Sequence, residues 1–372
     1  MPKKGDRRIY LSPPNVGEEE SGSLRDVIQS GWVAPVGPQL NVFEEGLESK
    51  FPGKRVLALS SGTSALHLAL ILSGVSDGDE VLVGSFTFAA AVNVVHYERA
   101  IPVFLDSECD TWNIDPNLLL EYLKSHTAPK AVIVTHLFGV PAKVDELRKI
   151  CKHYGIKMIE DAAEALGSKY QGRFLGGFGD YGVLSFNGNK IITTGGGGAL
   201  VVGEEGYDRA LHLATQANKG VFDYDHHEVG FNYRLSNVLA GVGVAQLKKL
   251  DAFVKKKRSV FAYYNAHLSQ DLFELPKEPD ESLCNRWLTT PLIRVEGITP
   301  LTIIQFLDKQ NIESRALWRP LHLHKAYEKA RFYGSGVCEK IYSEGLCLPS
   351  GTQLSDEELD YIVDQVHRAV SS

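Results

Sequence analysis

A lysine followed by a run of four glycines is the stretch of this sequence that most clearly indicates chemistry. Ser185-Phe186-Asn187-Gly188-Asn189-Lys190 places one lysine at the end of a polar turn, and glycines fill positions 195–198. Consecutive glycines cost conformational entropy and add no packing, so they indicate an unusual backbone shape or a ligand against the main chain. A flexible loop is the alternative, but strand-like residues flank the stretch at 181–186 and 199–202. We therefore predict a reactive amine at Lys190, with the glycines embedded in the fold.

A second stretch has the composition of an anion site. Ser60-Ser61-Gly62-Thr63-Ser64 precedes a strongly apolar helical run over 65–72. Unpaired N–H groups and the helix dipole favour a negative group at such a helix start, and a phosphate fits this description. The alternative is a well-capped helix whose hydroxyl groups satisfy only its own amides.

Short apolar strands that alternate with helices must position these residues. Strands are predicted at 81–83, 101–105, 131–134 and 157–161, separated by helical patterns such as 143–154. Strands without polar alternation predict a parallel sheet covered on both faces, whose ligands lie beyond the carboxyl ends of the strands. Asp161 ends one strand and lies 29 positions before Lys190, which leaves room for two more strands of the same sheet. An aspartate at this point could also only cap a helix.

The remainder of the chain predicts two unequal domains. Residues 16–50 have the pattern of two helices separated by a turn. After residue 250 the pattern changes to a long amphipathic helix at 248–268, a strand at 289–295, a helix at 302–310 and a closing helix at 355–369. We predict a large domain over residues 1–250 and a smaller α+β domain over 251–372.

Several motifs resemble those of one known enzyme family. The stretch that ends at Lys190, with its following glycines, is similar to the cofactor-lysine motif of the DegT/DnrJ/EryC1/StrS family of sugar aminotransferases, which use pyridoxal phosphate. The similarity includes residues 10–14, 31–38 and 315–322, and so covers nearly the whole chain. The resemblance implies a fold-type I α/β enzyme with a mostly parallel central sheet.

The resemblance also implies which residues contact the cofactor. Lys190 would form a Schiff base, and Asp161 would keep the pyridine nitrogen protonated. Gly62 and Thr63, with Ser185, would hold the phosphate.

The resemblance implies two further cofactor contacts. Phe88 would stack on the cofactor ring, although an aromatic residue in this loop is more often part of the core. Glu164 occupies a position next to a cofactor oxygen where many relatives carry His or Gln. We therefore expect Lys190, rather than a histidine relay, to move the proton.

The substrate side and the assembly are also predicted from the resemblance. Asn232 would reach the cofactor phosphate of a neighbouring subunit, which implies a homodimer with shared active sites. The candidate substrate contacts are Trp32, Arg234, Arg315, Trp318 and His322. Without the resemblance, Trp32 could equally be a packing residue, and the arginines and His322 would be ordinary surface residues.

Composition excludes several classes of protein. The chain has 372 residues, 44% of them hydrophobic, and a formal charge of −7, which argues against nucleic-acid binding. The charged start, residues 1–8, is not followed by an apolar segment long enough for a signal peptide or membrane anchor, so we expect a cytosolic protein without membrane contact. Five cysteines without a CxxC pair indicate reduced structural thiols rather than disulfides or a metal site.

The expected reaction is transfer of an amino group from glutamate to a keto sugar carried on a nucleotide. The motifs are most similar to enzymes that aminate C4 of a UDP-linked 4-keto-6-deoxy-N-acetylhexosamine. The alternatives are a 3-aminotransferase, an aminocyclitol aminotransferase and a sugar dehydratase of the same fold, although the dehydratases replace the lysine with histidine. A catalytically idle pyridoxal-binding regulator and an NAD-dependent oxidoreductase are the rivals from other classes. The paired Lys190 and Asp161 argue against the regulator, and the absence of a strand-glycine-helix fingerprint argues against the oxidoreductase.

Overall fold

The computed structural model describes residues 7–220 and 223–371. Residues 1–6, which form most of the charged start, lie outside this part of the chain. The strands are short, and their bounds are β1 (Arg55–Leu59), β2 (Glu80–Gly84), β3 (Ile101–Leu105), β4 (Ala131–Thr135), β5 (Lys157–Asp161), β6 (Lys169–Tyr170), β7 (Arg173–Phe174), β8 (Tyr181–Ser185), β9 (Gly198–Val202), β10 (Phe273–Glu274), β11 (Ser282–Leu283), β12 (Leu292–Ile293), β13 (Arg315–Ala316), β14 (Arg331–Tyr333) and β15 (Leu346–Cys347).

The α-helices include every predicted helix, and the ends of those helices lie close to the predicted positions. Their bounds are α1 (Glu18–Ser30), α2 (Pro38–Glu48), α3 (Gly62–Leu72), α4 (Ala90–Tyr97), α5 (Pro116–Ser125), α6 (Val144–Tyr154), α7 (Glu204–Ala214), α8 (Asn237–Lys248), α9 (Leu250–His267), α10 (Pro300–Lys309), α11 (Val337–Glu344) and α12 (Asp356–Ser371). None of the helices in the described ranges is long and apolar enough to cross a membrane.

Eight strands form the central sheet, in the order β1-β9-β8-β5-β4-β2-β3-β14. Every neighbouring pair is parallel except those of β9, which runs antiparallel to both β1 and β8. Every residue of β4 and β9 is buried, because helices cover both faces of the sheet. The prediction of an α/β fold with a mostly parallel sheet is confirmed.

Alternate residues of each strand enter two separate apolar layers. In β1, Val56 and Ala58 pack into the layer that contains buried residues of α2 and α6, whereas Leu57 and Leu59 pack into the layer that contains α3 and α4. This alternation follows from the two-residue period of a strand. It fixes which face of the sheet each helix covers.

The carboxyl ends of the central strands form one edge at which a ligand could bind. β3 lies on one side of β2 and β4 lies on the other, so the strand order reverses there and leaves a crevice beyond the strand ends. The spacing between Asp161 and Lys190 leaves room for two further strands of this sheet, but the structure has one. Only β8 of the central sheet lies between them, because β6 and β7 form a separate sheet with β11. Since β8 pairs directly with β5, one intervening strand is enough to bring both residues to this edge.

The glycine run joins β8 to β9 through the loop at 186–197. Gly195 has φ +84°, which favours glycine, and a Cβ added to Gly198 would lie only 2.3 Å from the backbone nitrogen of Gly62. The run therefore lets β9 begin directly against the first turn of α3.

Two segments cross the predicted domain boundary at residue 250. Besides the two layers of the central sheet, the chain has a third cluster of buried apolar side chains. Ile9 packs in this cluster, and its other buried members all lie beyond residue 250. In the opposite direction, β14 adds to the edge of the central sheet by pairing with β3. The division into 1–250 and 251–372 remains a prediction.

The strand predicted at 289–295 is shorter than expected, since Pro291 cannot donate to a ladder and only β12 pairs regularly.

Candidate active site

A cavity of about 370 Å³ opens at the carboxyl ends of the central strands. It brings together most of the predicted cofactor contacts from segments that are distant in the sequence. Its lining includes Gly62, Thr63, Phe88, Asp161, Glu164, Ser185, Lys190 and Trp318. Asn232, Trp32, Arg234, Arg315 and His322 do not line it.

Lys190 lies at the end of the turn that follows β8, and its N–H donates to the carbonyl of Asn187 at 3.0 Å. Its side chain is only 13% exposed, and its Nζ lies 3.9 Å from Oε1 of Glu164 and 4.0 Å from the centre of the Trp287 ring. Burial lowers the pKa of Lys190, while the carboxyl groups of Glu164 and Asp161 act in the opposite sense. A buried amine with a lowered pKa is more readily available as a nucleophile and as a base.

Asp161 is the last residue of β5 and is buried at the base of the cavity. Its Oδ1 accepts from the N–H of Ala163 at 3.1 Å, and the described residues give no hydrogen-bond donor to its other oxygen. Burial raises the pKa of Asp161, and the N–H of Ala163 and the positive charge of Lys190 oppose this rise. A cation placed against this carboxyl would stabilise its charged form, and a protonated ring nitrogen is such a cation.

A fully buried pair, His136 and Glu160, lies directly behind Asp161. The Nε2 of His136 donates to Oε2 of Glu160 at 2.9 Å, since Nδ1 of His136 accepts from the N–H of Ala142. The N–H of His136 donates to the carbonyl of Asp161. Burial alone would raise the pKa of Glu160, but the hydrogen bonds from His136 and from backbone N–H groups, including that of Gly179, lower it overall. The pair therefore supports the end of β5.

The first turn of α3 forms a cradle for an anion. The Oγ of Ser61 caps the helix by accepting from the N–H of Ser64 at 3.0 Å. The N–H groups of Gly62 and Thr63, which also lie in the first turn, have no acceptor among the described residues. A Cβ on Gly62 would lie 3.3 Å from Cβ of Ser185, whose hydroxyl has no partner in the described chain. These free donors fit a phosphate group, and the fit depends on glycine at position 62.

Two aromatic rings form a wall of the cavity. Phe88 follows β2 and is 54% exposed, and its ring lies 5.3 Å from that of Trp318 at an angle of 55°. An exposed ring beside the amine and the anion cradle is suited to cover a flat ligand.

Glu164 links this wall to the lysine. Its Oε1 accepts from Nε1 of Trp318 at 3.2 Å, and its Oε2 accepts from the N–H of Phe138 at 2.7 Å. Burial raises the pKa of Glu164, and the nearby charge of Lys190 opposes this. Glu164 is therefore an acid held in one orientation.

A second pocket of about 460 Å³ adjoins the cavity and shares Asn189 and Trp318 with it. Most of its wall is apolar or aromatic, and Arg315 is the cation on its lining. Arg315 is 71% exposed and contacts Glu313 at 2.9 Å. The lining residues are Tyr10, Leu11, Ser12, Pro13, Pro14, Phe138, Asn189, Trp287, Leu288, Glu313, Arg315, Ala316, Trp318 and Cys347.

The other predicted substrate residues lie outside both pockets. Arg234 forms a buried ion pair with Glu44. His322 contacts Oγ of Ser85 at 2.7 Å and Glu339 at 3.1 Å, and its ring stacks on Phe332. Both side chains are therefore engaged within this chain, and their contact with substrate remains a prediction.

Trp32 and Asn232 are exposed on the surface of the chain. Trp32 is 51% exposed, and its carbonyl accepts from Nδ2 of Asn237 at 2.7 Å. Asn232 is exposed beside Thr215, to which it pairs in an isolated bridge. Neither reaches the cavity of its own chain.

Sequence reasoning missed three residues that position this site. His136 directly follows β4, so the rule that found Asp161 at a strand end could have found it. Asn237 directly follows the capping residue of α8 and fixes the Trp32 loop. Trp287 lies far from the lysine in sequence, and no local pattern indicates that its ring packs against Lys190.

Comparison with known proteins agrees with this geometry. The sequence model of the DegT/DnrJ/EryC1/StrS aminotransferase family matches residues 14–367. The chain is 46% identical over 368 residues to EpsN of Bacillus subtilis strain 168, whose name describes a pyridoxal phosphate-dependent aminotransferase, with 96% of this chain and 95% of EpsN covered. It is 33% identical over 364 residues to GDP-perosamine synthase of Escherichia coli O157:H7, with 98% and 99% covered.

Solved structures give the same result. The PLP-form of the sugar aminotransferase Spr1654 from Streptococcus pneumoniae superposes with a TM-score of 0.90 at 27% identity, covering 98% of this chain and 99% of that chain. Its PMP-form superposes equally well. The chain is therefore a pyridoxal phosphate-dependent aminotransferase of fold type I, and it belongs to the DegT/DnrJ/EryC1/StrS aminotransferase family.

Proposed function

We propose that this enzyme transfers an amino group from glutamate to a keto sugar carried on a nucleotide. The observation that carries the proposal is that the amine of Lys190 lies in one cavity with Asp161 and with the anion cradle at the start of α3. The relatives named above support sugar aminotransferase activity, since one is a GDP-perosamine synthase and one a sugar aminotransferase.

Each cavity residue has a role that its surroundings support. Pyridoxal phosphate, when bound, supplies an electron sink for the carbanion formed when a proton leaves the amino donor. Asp161 would pair with its ring nitrogen, because this buried carboxyl has an oxygen without a donor. Gly62, Thr63 and Ser185 would hold its phosphate through their free donors. Phe88 would cover its ring.

Lys190 has two roles in the proposal. Its amine would hold the cofactor when this group is bound, and the same amine, when free, would act as the acid and base that moves a proton at the substrate carbon. Glu164 lies 3.9 Å from this amine, so its charge state affects how readily Lys190 accepts the proton.

The second pocket is the place that we propose for the acceptor. It joins the cofactor cavity at Trp318 and Asn189, so a keto carbon could reach the amine while the rest of the molecule lies against the aromatic wall. Arg315 would contact an anionic group such as a diphosphate.

Two exposed residues outside the pockets, Trp32 and Asn232, fit a homodimer. Trp32 and Asn232 are exposed, and so are the apolar side chains of Ile28, Val33 and Val36 near Trp32. An exposed apolar patch of this kind is typical of a protein interface. We propose that a second copy covers it and that Asn232 reaches the partner's cofactor phosphate.

The acceptor that we propose is a UDP-linked 4-keto-6-deoxy-N-acetylhexosamine, aminated at C4. A GDP-linked 4-keto sugar is the second candidate, because GDP-perosamine synthase is 33% identical to this chain. The enzyme should be supplied with glutamate and, in separate reactions, UDP-, GDP- and dTDP-linked 4-keto sugars, a 3-keto sugar and a cyclitol ketone, and the aminated carbon should be identified by NMR.

The outcomes of that experiment separate the candidates. Amination at C4 of the UDP-sugar with the highest kcat/KM supports the proposed acceptor, whereas a preference for the 3-keto sugar or the free cyclitol ketone overturns it. Lys190→Ala serves as the matched control, since it should abolish the product with every acceptor.

A further inference from the structure

Lys257 is a buried lysine outside the proposed chemistry. It lies on α9 and is 2% exposed, and no carboxylate among the described residues contacts it. Its Nζ donates to Oγ of Ser12 at 3.0 Å and to the carbonyls of Trp287 and Ser350, each at 2.9 Å. Three acceptors match the three N–H donors of an ammonium group. A buried amine costs desolvation energy, so this arrangement calls for a reason beyond packing.

Two of these partners converge on the turn that delivers the cofactor lysine. The hydroxyl of Ser12 donates to the carbonyl of Asn189 at 3.1 Å, and Nε1 of Trp287 donates to the same carbonyl at 2.7 Å. Asn189 immediately precedes Lys190, whose Nζ lies 4.0 Å from the centre of the Trp287 ring. Lys257 therefore contacts both groups that hold the peptide before Lys190.

We propose that Lys257 is a positioning residue for Lys190, acting through Ser12 and Trp287 on the carbonyl of Asn189. The three partners of Lys257 come from the N-terminal segment and from two segments beyond residue 280, so one ammonium group ties them together beneath the catalytic turn. Losing it would let the Asn189 peptide rotate and move the amine relative to the cavity. A displacement of about 1 Å at a reacting group can lower a rate by about 100-fold.

The proposal rests on Lys190 being the amine that binds the cofactor, and the experiment tests this first. Reduction of the wild-type holoenzyme with borohydride, followed by peptide mapping, should place the cofactor on Lys190. Attachment elsewhere would refute the proposed function. The variants below test only the positioning role.

The test compares Ser12→Ala, Lys257→Met, the double variant and Lys255→Met as holoenzymes. Lys255 is exposed on the same helix and is the matched control. The measurements are the single-turnover rate with glutamate, the pH midpoint of the cofactor's visible absorbance, cofactor affinity and the free energy of unfolding. Ser12→Ala keeps the two carbonyl contacts of Lys257, so it removes the link through Ser12 while leaving the buried ammonium and the link through Trp287 in place.

We expect Ser12→Ala and Lys257→Met each to lower the single-turnover rate by about 10- to 100-fold and to shift the absorbance midpoint, with little change in cofactor affinity. The double variant should be no slower than the slower single variant, because both act through one carbonyl. Ser12→Ala with the wild-type rate and midpoint, or additive effects in the double variant, would overturn the proposal. If Lys257→Met does not fold, Ser12→Ala decides the question alone.

Discussion

Asp161, Glu164 and Lys190 lie buried together in the cavity, and the opposite charges of the acids and the amine reduce the cost of burying each charged group. Burial raises the pKa values of Asp161 and Glu164 and lowers that of Lys190, so it favours the neutral form of all three. The opposite charges partly offset this effect. A proton taken up by Lys190 is therefore stabilised by two nearby acids, which suits a residue that must accept and return one.

The first prediction at this scale concerns Lys190→Ala. The variant should fold and retain cofactor through the phosphate cradle and the ring wall, but steady-state turnover should fall by at least about 10²- to 10⁴-fold, the contribution of a positioned acid or base. Turnover is measured with glutamate and a keto sugar, and Lys255→Ala on the exposed surface is the control. Turnover at the wild-type level would remove Lys190 from its proposed role.

The second prediction concerns the pH dependence of stability. Burial lowers the pKa of Lys257 to about 7 from its ordinary value of 10.5, so between these values the unfolded chain binds more protons than the folded chain. The free energy of unfolding of the wild type, relative to Lys257→Met, should therefore be lowest below pH 7 and rise toward pH 10.5, by up to about 1.4 kcal/mol per pH unit. Denaturant titrations of both proteins at several pH values measure this difference, and a constant difference would contradict it.

At the scale of elements, the contact between β9 and α3 determines the shape of the anion cradle. A Cβ on Gly198 would lie 2.3 Å from the nitrogen of Gly62, whereas one on Gly196 would meet nothing within 4 Å. Gly198→Ala should therefore force α3 away from β9, destabilise the protein by about 1–3 kcal/mol or more and weaken cofactor binding. Gly196→Ala is the matched control for the free energy of unfolding, which it should leave unchanged; because Gly196 lines the cofactor cavity, it is not a control for cofactor binding. Urea denaturation and titration with the cofactor measure both effects, and equal behaviour of the two variants would show that this contact is not critical.

The same elements show how far sequence reasoning reaches. The parallel strands, α3 with its polar start and the glycine run were predicted correctly because each has a local pattern that depends on nearby residues alone. The number of strands between Asp161 and Lys190 could not be predicted from their spacing, since two-residue strands such as β6 and β7 have no periodicity. β7 pairs with β6, and β6 pairs with β11 more than 100 positions away. Pro291 also shows that a strand-like composition does not ensure a ladder.

At the site, local and distant signals differ in the same way. Lys190, Asp161 and Gly62 lie at or near the ends of strands and helices, and local sequence patterns predict where those strands and helices end. Arg234 is a cation and was therefore predicted as a substrate contact, but it forms an ion pair with Glu44. These residues are 190 positions apart, so the sequence around either one does not predict the pair. The hydrogen bonds of Lys257 likewise depend on three distant segments.

At the scale of the whole molecule, the prediction concerns assembly. If Asn232 reaches the partner's cofactor phosphate, Asn232→Ala should weaken cofactor retention while leaving the free energy of unfolding of the cofactor-free protein unchanged. Light scattering should show at least a dimer for the wild type. Asn218→Ala, at another asparagine of the segment between α7 and α8, is the comparison. A fully active monomer would contradict the shared site.

The route of the chain through β14 and Ile9 has a consequence for synthesis on the ribosome. The edge of β3 is covered only when residues 331–333 pair with it, and Ile9 can bridge to Ile312 only after that residue has emerged. The hydrogen bond from Lys257 to Ser12 likewise forms only after residue 257 has been synthesised, and the one from Lys257 to the carbonyl of Ser350 forms later still. A nascent chain can thus form α3 and much of the sheet early, but the turn before Lys190 gains its full support only near the end of translation. Catalytic competence should therefore be acquired late, after residue 350 has left the exit tunnel.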